Sequence, residues 1–392
     1  MQLSRANVGK VTIVHLRNAN TFAIYAASIA YIIEISTFPI IVKALSIDLA
    51  LGTDQALWLI SGYKITLIIA LFVSGAAGDK IGKERVFTSG AFLFWTDSVL
   101  LLFARTGEQM IILRLFQGVG AGLFSPMIPA LLAANRPRNT LTALSYWGMI
   151  TGAVAALYPF GAAFLTDTFS WRYGWMIVPI VTATAILRPP KPRGRAHLKT
   201  KASAPSIRRI LTLPVLSVLG FILISYGIST WFIVTIALSD KIAAPTTTVG
   251  FYMFIIWAVF AVGNFGVAKL NKRLPPQLLL YASVVLNGVM ALFWFGQSDA
   301  PLVISCVAVG LSMALCNAPT TDLAFRLTPK TAHGTIASAD IIAARLGGAI
   351  AIMILPLSLW QAAPFVLAAA LVSFVTVAYA TAAVSSAPTA AW

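Results

Sequence analysis

Twelve apolar runs, each long enough to cross a bilayer, follow one another along the chain, and no other feature limits the possible folds so strongly. A membrane-spanning helix needs about 20 consecutive apolar residues. Inside lipid only helices and closed barrels satisfy every backbone polar group. The runs fall at 21–43, 56–77, 86–104, 109–134, 140–165, 172–188, 210–238, 246–268, 277–296, 301–325, 333–358 and 362–386. They predict an all-α integral membrane protein of twelve transmembrane helices. Composition agrees, because 59% of residues are hydrophobic and 10% are charged, whereas about 25% charged is ordinary for a soluble domain. The first run carries Glu34 and is too long for a cleaved leader, so it reads as a span.

The basic residues give the spans an orientation. With the N-terminus inside, 21 of the 28 Lys and Arg residues fall on inner segments, the asymmetry expected of cytoplasmic loops. Only Lys43, Arg105, Arg172 and Lys241 fall outside, and Lys64, Arg114 and Arg345 lie within spans. The formal net charge of +16 therefore reports topology, and nucleic acid is not an expected partner. The lipid bilayer is. Both termini are expected in the cytoplasm, with the chain in the plasma (inner) membrane and monomeric.

The longest inner segment, 189–209, is rich in Pro and basic residues and has no acid, the composition of a linker. It divides the chain into an N-terminal six-helix bundle (1–188) and a C-terminal one (210–392). A shift of 193 residues superposes Pro126 on Pro319 and Ser145 on Ser338, and repeated halves are a common build among transporters. Cys306 and Cys316 sit ten residues apart in one apolar run, about 15 Å along a helix, too far for a disulfide with each other.

Two motifs stand out. The loop after the second span reads Gly75-Ala-Ala-Gly78-Asp79-Lys80-Ile-Gly82-Lys83-Glu84-Arg85, and the fourth span carries Arg114-Leu-Phe-Gln117-Gly118-Val-Gly120-Ala-Gly122. Small residues let membrane helices approach closely, Gly82 suits a tight turn, and Asp79 can pair with bases or helix N-termini. The first run resembles the G-x-x-x-D-[RK]-x-G-[RK]-x-[RK] signature of the major facilitator superfamily, and the second its R-x-x-Q-G-x-G motif. Gly148, Gly152 and Pro159 in the fifth span are similar to the Gly-rich stretch of the drug:proton antiporter branch, although Tyr158 precedes the proline and Ala162-Ala163 replace the final glycines. Trp171-Arg172 and Trp175 at the sixth span, and Trp58 with Tyr63 in the second, also resemble that branch. So do Gly334 to Ser338 and Arg345-Leu-Gly347-Gly348 in the eleventh. The resemblance implies two six-helix bundles (the major facilitator fold) working by alternating access. It also implies that Gly75, Asp79, Lys80, Gly82, Lys83, Arg85, Gly148, Gly152 and Pro159 serve conformational gating.

Four acids fall within spans: Glu34, Asp97, Asp322 and Asp340. A charge at the bilayer centre costs about 2.5–3.5 kcal/mol on insertion scales, so such residues face a cavity or one another. At about 1.5 Å per residue, Glu34, Lys64, Asp97 and Arg114 come to similar depths from the outer ends of their spans. They are expected to form one polar cluster in the N-terminal half. Within it Glu34, Arg114 and Asp97 are the candidates for proton coupling. Glu34, Lys64, Arg114, Gln117, Tyr226, Trp231, Asn317 and Arg345 are the candidates for substrate binding. The competing reading is a set of static ion pairs, Glu34–Arg114 and Asp97–Lys64, that fasten the bundle. Asp322 and Arg326, four residues apart, suit a local helix pair. Asp340 and Arg345, five apart and about 140° around the helix, address different neighbours.

His15, His197 and His333 show no metal-ligand spacing, so no metal is expected, and no cofactor. There is no G-x-x-x-x-G-K-[ST] phosphate loop and no catalytic constellation, so the chain does not read as an enzyme. Two transport readings stay open. One is proton-coupled efflux of a small amphipathic or partly anionic organic molecule. The other is import, or facilitated passage, of an anionic metabolite or metal chelate such as a siderophore.

Overall fold

The computed structural model describes residues 19–136, 139–191, 210–238, 246–270, 273–293, 299–354 and 359–386. The expected N-terminal tail, most of the basic linker and Lys241 lie outside the described residues. The structure is helical throughout, with no strand among the described residues. In chain order the helices are α1 (Ala19–Asp48), α2 (Thr53–Ile81), α3 (Lys83–Leu101), α4 (Gly107–Phe124), α5 (Met127–Asn135), α6 (Thr140–Thr168), α7 (Trp171–Leu187), α8 (Leu213–Leu238), α9 (Thr246–Leu270), α10 (Pro276–Phe293), α11 (Asp299–Arg326), α12 (His333–Ile354) and α13 (Leu359–Ser386).

Every expected span finds its helix. The fourth is built from α4 and α5, interrupted at Pro126, which has no backbone N–H to continue the ladder. Among the described residues nine helical segments are long and apolar enough to cross a membrane. The other three spans are α3, with Lys83, Glu84 and Arg85 in its first turn, the 17-residue α7, and the shorter apolar α10. Burial is inverted relative to a soluble protein. Ile65, Ile69, Phe72 and Val73 line an exposed stripe on α2, as do Leu157, Phe160 and Phe164 on α6 and Leu371, Phe374 and Val375 on α13, while Glu34, Arg114 and Gln117 are buried. Lipid rather than water is the solvent for such a surface, and polar side chains turn inward. The chain is a multi-pass membrane protein.

Cα packing resolves two compact units, residues 1–137 with 157–203 and residues 138–156 with 204–392. The expected boundary at 188 keeps the whole fifth span with the first half, but here the span is divided. Residues 138–156 of α6 group with the second unit, where a Cβ on Gly152 would meet Phe260 at 2.6 Å and the Ala261 backbone at 3.1 Å.

The two units repeat one packing scheme. In the first, α4 packs on α2 and α3, and α1 packs on α7. In the second, α11 packs on α9 and α10, and α8 packs on α13. Counted as spans, each unit thus joins its fourth to its second and third, and its first to its sixth. Glycine sets the spacing in the first unit. A Cβ on Gly120 would lie 2.6 Å from the Phe94 nitrogen, and one on Gly90 2.8 Å from the Phe124 nitrogen. On the opposite side of α4, Gly118 and Gly122 press against the carbonyls of Tyr63 and Leu67, and Thr66 Oγ1 donates to the Leu115 carbonyl at 2.8 Å. The helices touch backbone to backbone, so any side chain at these positions would force α2, α3 and α4 apart.

Candidate functional site

The tight packing of α4 on α2 and α3 places the fourth-span arginine inside the first unit. Arg114 has 2% of its surface exposed and Glu34 none. Arg114 Nη1 donates to Glu34 Oε1 at 2.6 Å and also contacts Gln117 Oε1 at 2.6 Å. Its Nε donates to the Leu59 carbonyl at 3.2 Å. The second oxygen of Glu34 accepts from the Tyr63 hydroxyl at 2.6 Å. Gln117 Nε2 in turn donates to Ser98 Oγ at 2.7 Å, and Ser98 Oγ donates to the Phe94 carbonyl at 2.6 Å. Four helices, α1 to α4, therefore meet in one continuous hydrogen-bonded network.

Aromatic faces enclose the guanidinium. Its carbon lies 3.7 Å from the Phe38 ring centroid, 4.1 Å from that of Tyr63 and 5.9 Å from that of Trp175. Trp175 is fixed by its indole N–H, which donates to the Ser98 carbonyl at 3.1 Å. A cation over aromatic rings is stabilised by their quadrupoles, by about 2 kcal/mol or more when water is excluded. The site thus combines a buried ion pair with an aromatic cage.

The expected four-charge cluster reduces to two charges. Lys64 stands on the exposed face of α2. The reason is helical phase: Tyr63 faces Glu34, and the next residue points about 100° away. Asp97 is 5% exposed, but its Oδ2 has no hydrogen-bond partner. Its neighbour Ser98 holds the position that faces the network. Depth along each span was legible, but direction around the helix was not. The groups that replace Lys64 and Asp97 are the uncharged Tyr63 and Ser98.

In the second unit, Tyr226 donates its hydroxyl to Asn317 Oδ1 at 3.1 Å, bringing together two of the expected binding residues. Trp231 instead packs in the apolar core among Ile228, Phe232 and Tyr252, because its phase on α8 turns it away from that hydrogen bond. Arg345 is exposed on α12 and acts electrostatically on Tyr226. Asn264 and Asn317 bring their amides against the Cα of Gly148, so this glycine serves close packing.

The gating candidates between the second and third spans form a compact turn. Gly82 has φ +107°, a conformation L-residues rarely adopt, and it separates α2 from α3. Asp79, on the last turn of α2, pairs with Lys83 Nζ at 3.0 Å, while Lys80 and Arg85 are exposed. A Cβ on Gly78 would meet Met127 Sδ at 2.5 Å, so α5 sits directly against the motif. In the second unit, Asp322 Oδ2 lies 2.9 Å from Arg326 Nε, the expected pair four residues apart.

At the C-terminal end of α1, Asp48 Oδ2 accepts from Arg172 Nη1 at 2.7 Å and from the Trp171 indole at 2.9 Å. Arg172 also caps the carbonyls of Leu102 and Ala104, at 3.2 and 3.3 Å. The two hydrogen bonds, indole first, hold the Asp48 carboxyl below the usual carboxylate range. Among the described residues no group of His, Cys, Asp or Glu has a metal-binding arrangement.

Comparison with known proteins agrees with this architecture. The sequence profile described as Major Facilitator Superfamily matches residues 23–352. The methylenomycin A resistance protein of Bacillus subtilis is 25% identical over 368 residues, covering 77% of this chain and 78% of that protein. An uncharacterized MFS-type transporter of Mycobacterium tuberculosis is 32% identical over 185 residues, 44% of this chain and only 26% of the relative. The multidrug export protein EmrB of Haemophilus influenzae is 26% identical over 171 residues, 43% of this chain and 33% of the relative. The chain thus spans between a quarter and a third of those two longer relatives. Among solved structures, the FucP transporter in its outward conformation superposes with a TM-score of 0.71 at 14% identity, covering 91% of this chain and 97% of that one.

Proposed function

The chain belongs to the Major Facilitator Superfamily of transporters, and we propose that it exports a small amphipathic or partly anionic organic molecule in exchange for protons. The observation that carries this reading is the buried Glu34–Arg114 pair, caged by Phe38, Tyr63 and Trp175. A pair of opposite charges sealed from water is a functional candidate in a membrane interior, and aromatic walls suit an amphipathic cargo. The names of the methylenomycin A resistance and multidrug export relatives support export.

The mechanism follows from the connectivity. A proton arriving at Glu34 neutralises the acid and cancels its attraction for Arg114. The guanidinium is then free to meet an anionic or acceptor group of the substrate. Departure of that proton restores the ion pair and displaces the substrate. Tyr63, which bonds Glu34 while its ring lies under Arg114, senses both states. Asp97, buried beside the network on α3, is the second candidate acid for passing the proton. The two halves, 1–188 and 210–392 about the linker 189–209, alternate access to the substrate, with Gln117 and Lys64 as the candidate contacts in the first half and Tyr226, Asn317 and Arg345 in the second. The glycine-rich inner turn and Gly148, Gly152 and Pro159 govern that alternation. Both termini are cytoplasmic in this reading, and one chain suffices.

Purified protein in liposomes carrying an imposed pH gradient tests the proposal, with methylenomycin A as the first probe. Expected are probe movement against the direction of proton flow and its loss in Glu34→Gln. Movement in the same direction as protons would overturn export. Undiminished pH-dependent flux in Glu34→Gln would remove that acid from the coupling.

A further inference from the structure

Asp340, in the second unit, is one of two in-span acids that the mechanism above leaves unused; the other, Asp322, is paired with Arg326. Asp340 lies on α12 and is partly buried. Its Oδ2 accepts a hydrogen bond from Thr321 Oγ1 on α11 at 2.5 Å, and Thr321 is 5% exposed. Among the described residues Asp340 has no cation within ion-pair distance, unlike Glu34, Asp48, Asp79 and Asp322. Arg345, five residues on along the same helix, is exposed.

The partner's chemistry is informative. A hydroxyl is both donor and acceptor, so it can bond a carboxylate or a carboxylic acid, whereas a guanidinium can only donate. Thr321 has a second acceptor in reach, since its Oγ1 also lies 3.2 Å from the Asn317 carbonyl. When Asp340 is a carboxylate, the single hydroxyl proton of Thr321 points to Oδ2. When Asp340 carries a proton, the acid O–H donates to Thr321 Oγ1, and the hydroxyl turns its own proton to the Asn317 carbonyl. Both states keep the hydrogen bond between Asp340 and Thr321, so neither leaves that hydroxyl without a partner.

The surroundings suit a proton better than a metal or a bulky cation. The titratable groups facing this acid from the packed helices are Tyr226 on α8 and Cys316 on α11, both uncharged as ordinarily protonated groups. Asp322 and Arg326, further along α11, are occupied with each other, and His333 at the start of α12 contacts the Phe325 carbonyl at 3.1 Å. One carboxylate and one hydroxyl fall well short of a metal's ligand count. The Tyr226 hydroxyl donates to the side-chain oxygen of Asn317, the residue whose backbone carbonyl Thr321 can face.

We propose that Asp340 is a second proton-binding site of this transporter, switched through Thr321 and reported to Tyr226 through Asn317. The assignment rests on the proton-coupled reading for its purpose, but protonation of Asp340 can be measured without any substrate or flux.

The experiment is pH-difference infrared spectroscopy on the full-length protein in liposomes, reading the carbonyl stretch of protonated carboxylic acids. The expected result is a pH-dependent band that disappears in Asp340→Asn, persists in Glu34→Gln and shifts in Thr321→Val. If Asp340→Asn does not fold, the Thr321→Val shift decides alone. A wild-type spectrum without such a band, an Asp340→Asn spectrum that keeps every band, or an unshifted Thr321→Val band would each overturn the assignment. A failed flux experiment with an intact Asp340 band would instead count against proton-coupled export alone.

Discussion

Arg114 Nη1 and Glu34 Oε1 lie 2.6 Å apart, although 80 residues separate them in sequence, and neither side chain is open to solvent. Removing one partner of a buried pair leaves the other charge uncompensated, at a cost of about 3–5 kcal/mol. Glu34→Gln and Arg114→Gln should each lower the melting temperature. The double variant should be less damaged than the sum of the two, by about 1 kcal/mol or more. A double-mutant cycle in detergent measures this. Strict additivity would show that the two charges do not interact in the folded protein.

Asp97 gives the opposite expectation for stability. Its Oδ2 is buried without a hydrogen bond, so Asp97→Asn removes a charge that has no cation partner. The melting temperature should rise while proton-driven flux slows. Thermal unfolding followed by Trp fluorescence tests the first part. A clear fall in stability would mean that the carboxylate makes an interaction absent from this conformation.

Two glycines separate packing from propensity. At Gly120 even a methyl group would stand 2.6 Å from the Phe94 nitrogen, and overpacking of this kind costs about 1–3 kcal/mol. At Gly266 an added Cβ meets nothing within 4 Å, and in a helix Ala is better than Gly by about 0.8–1.0 kcal/mol. Gly120→Ala should therefore destabilise and Gly266→Ala should stabilise, both read as melting temperature in one buffer.

The clasp of Trp171 and Arg172 on Asp48 makes stability depend on pH. The folded-state carboxyl of Asp48 is held below its ordinary value by Trp171 and Arg172. Its contribution is therefore complete above the ordinary carboxylate range, near pH 4, and is lost as pH falls through the lowered folded value. Wild-type melting temperature should drop between about pH 5 and pH 3 by more than that of Asp48→Asn. Parallel curves for the two proteins would deny the clasp any role. The effect is modest, because the pair is partly exposed and screened by solvent.

These residues also mark what the sequence can and cannot tell. Span positions, the Gly82 turn and the depths of Glu34 and Arg114 follow from counting residues along helices, and counting is reliable when apolar runs are long. Direction around the helix is a different matter. An amphipathic helix in water shows which face is buried, but in lipid both faces are apolar and α2 gives no such signal. On sequence the charged Lys64 therefore joins the cluster, whereas Tyr63, one position away, holds the contact with Glu34. Charge also drew attention from hydroxyls: Ser98, Tyr63 and Thr321 complete the two networks without being distinguishable from other small polar residues in spans. Trp231 illustrates the same limit, since an aromatic residue looks alike in a cavity lining and in a core.

The long sequence interval between Glu34 and Arg114 has a consequence for biogenesis. The chain is made N-terminus first, at about 5–20 residues per second. The acid is thus synthesised about 4–16 s before the base that will neutralise it. Tyr63 follows Glu34 by only 29 residues, about 1.5–6 s, and supplies an interim partner from the second span. The nascent first span must therefore wait at the insertion machinery, or enter lipid leaning on that phenol, until the fourth helix arrives.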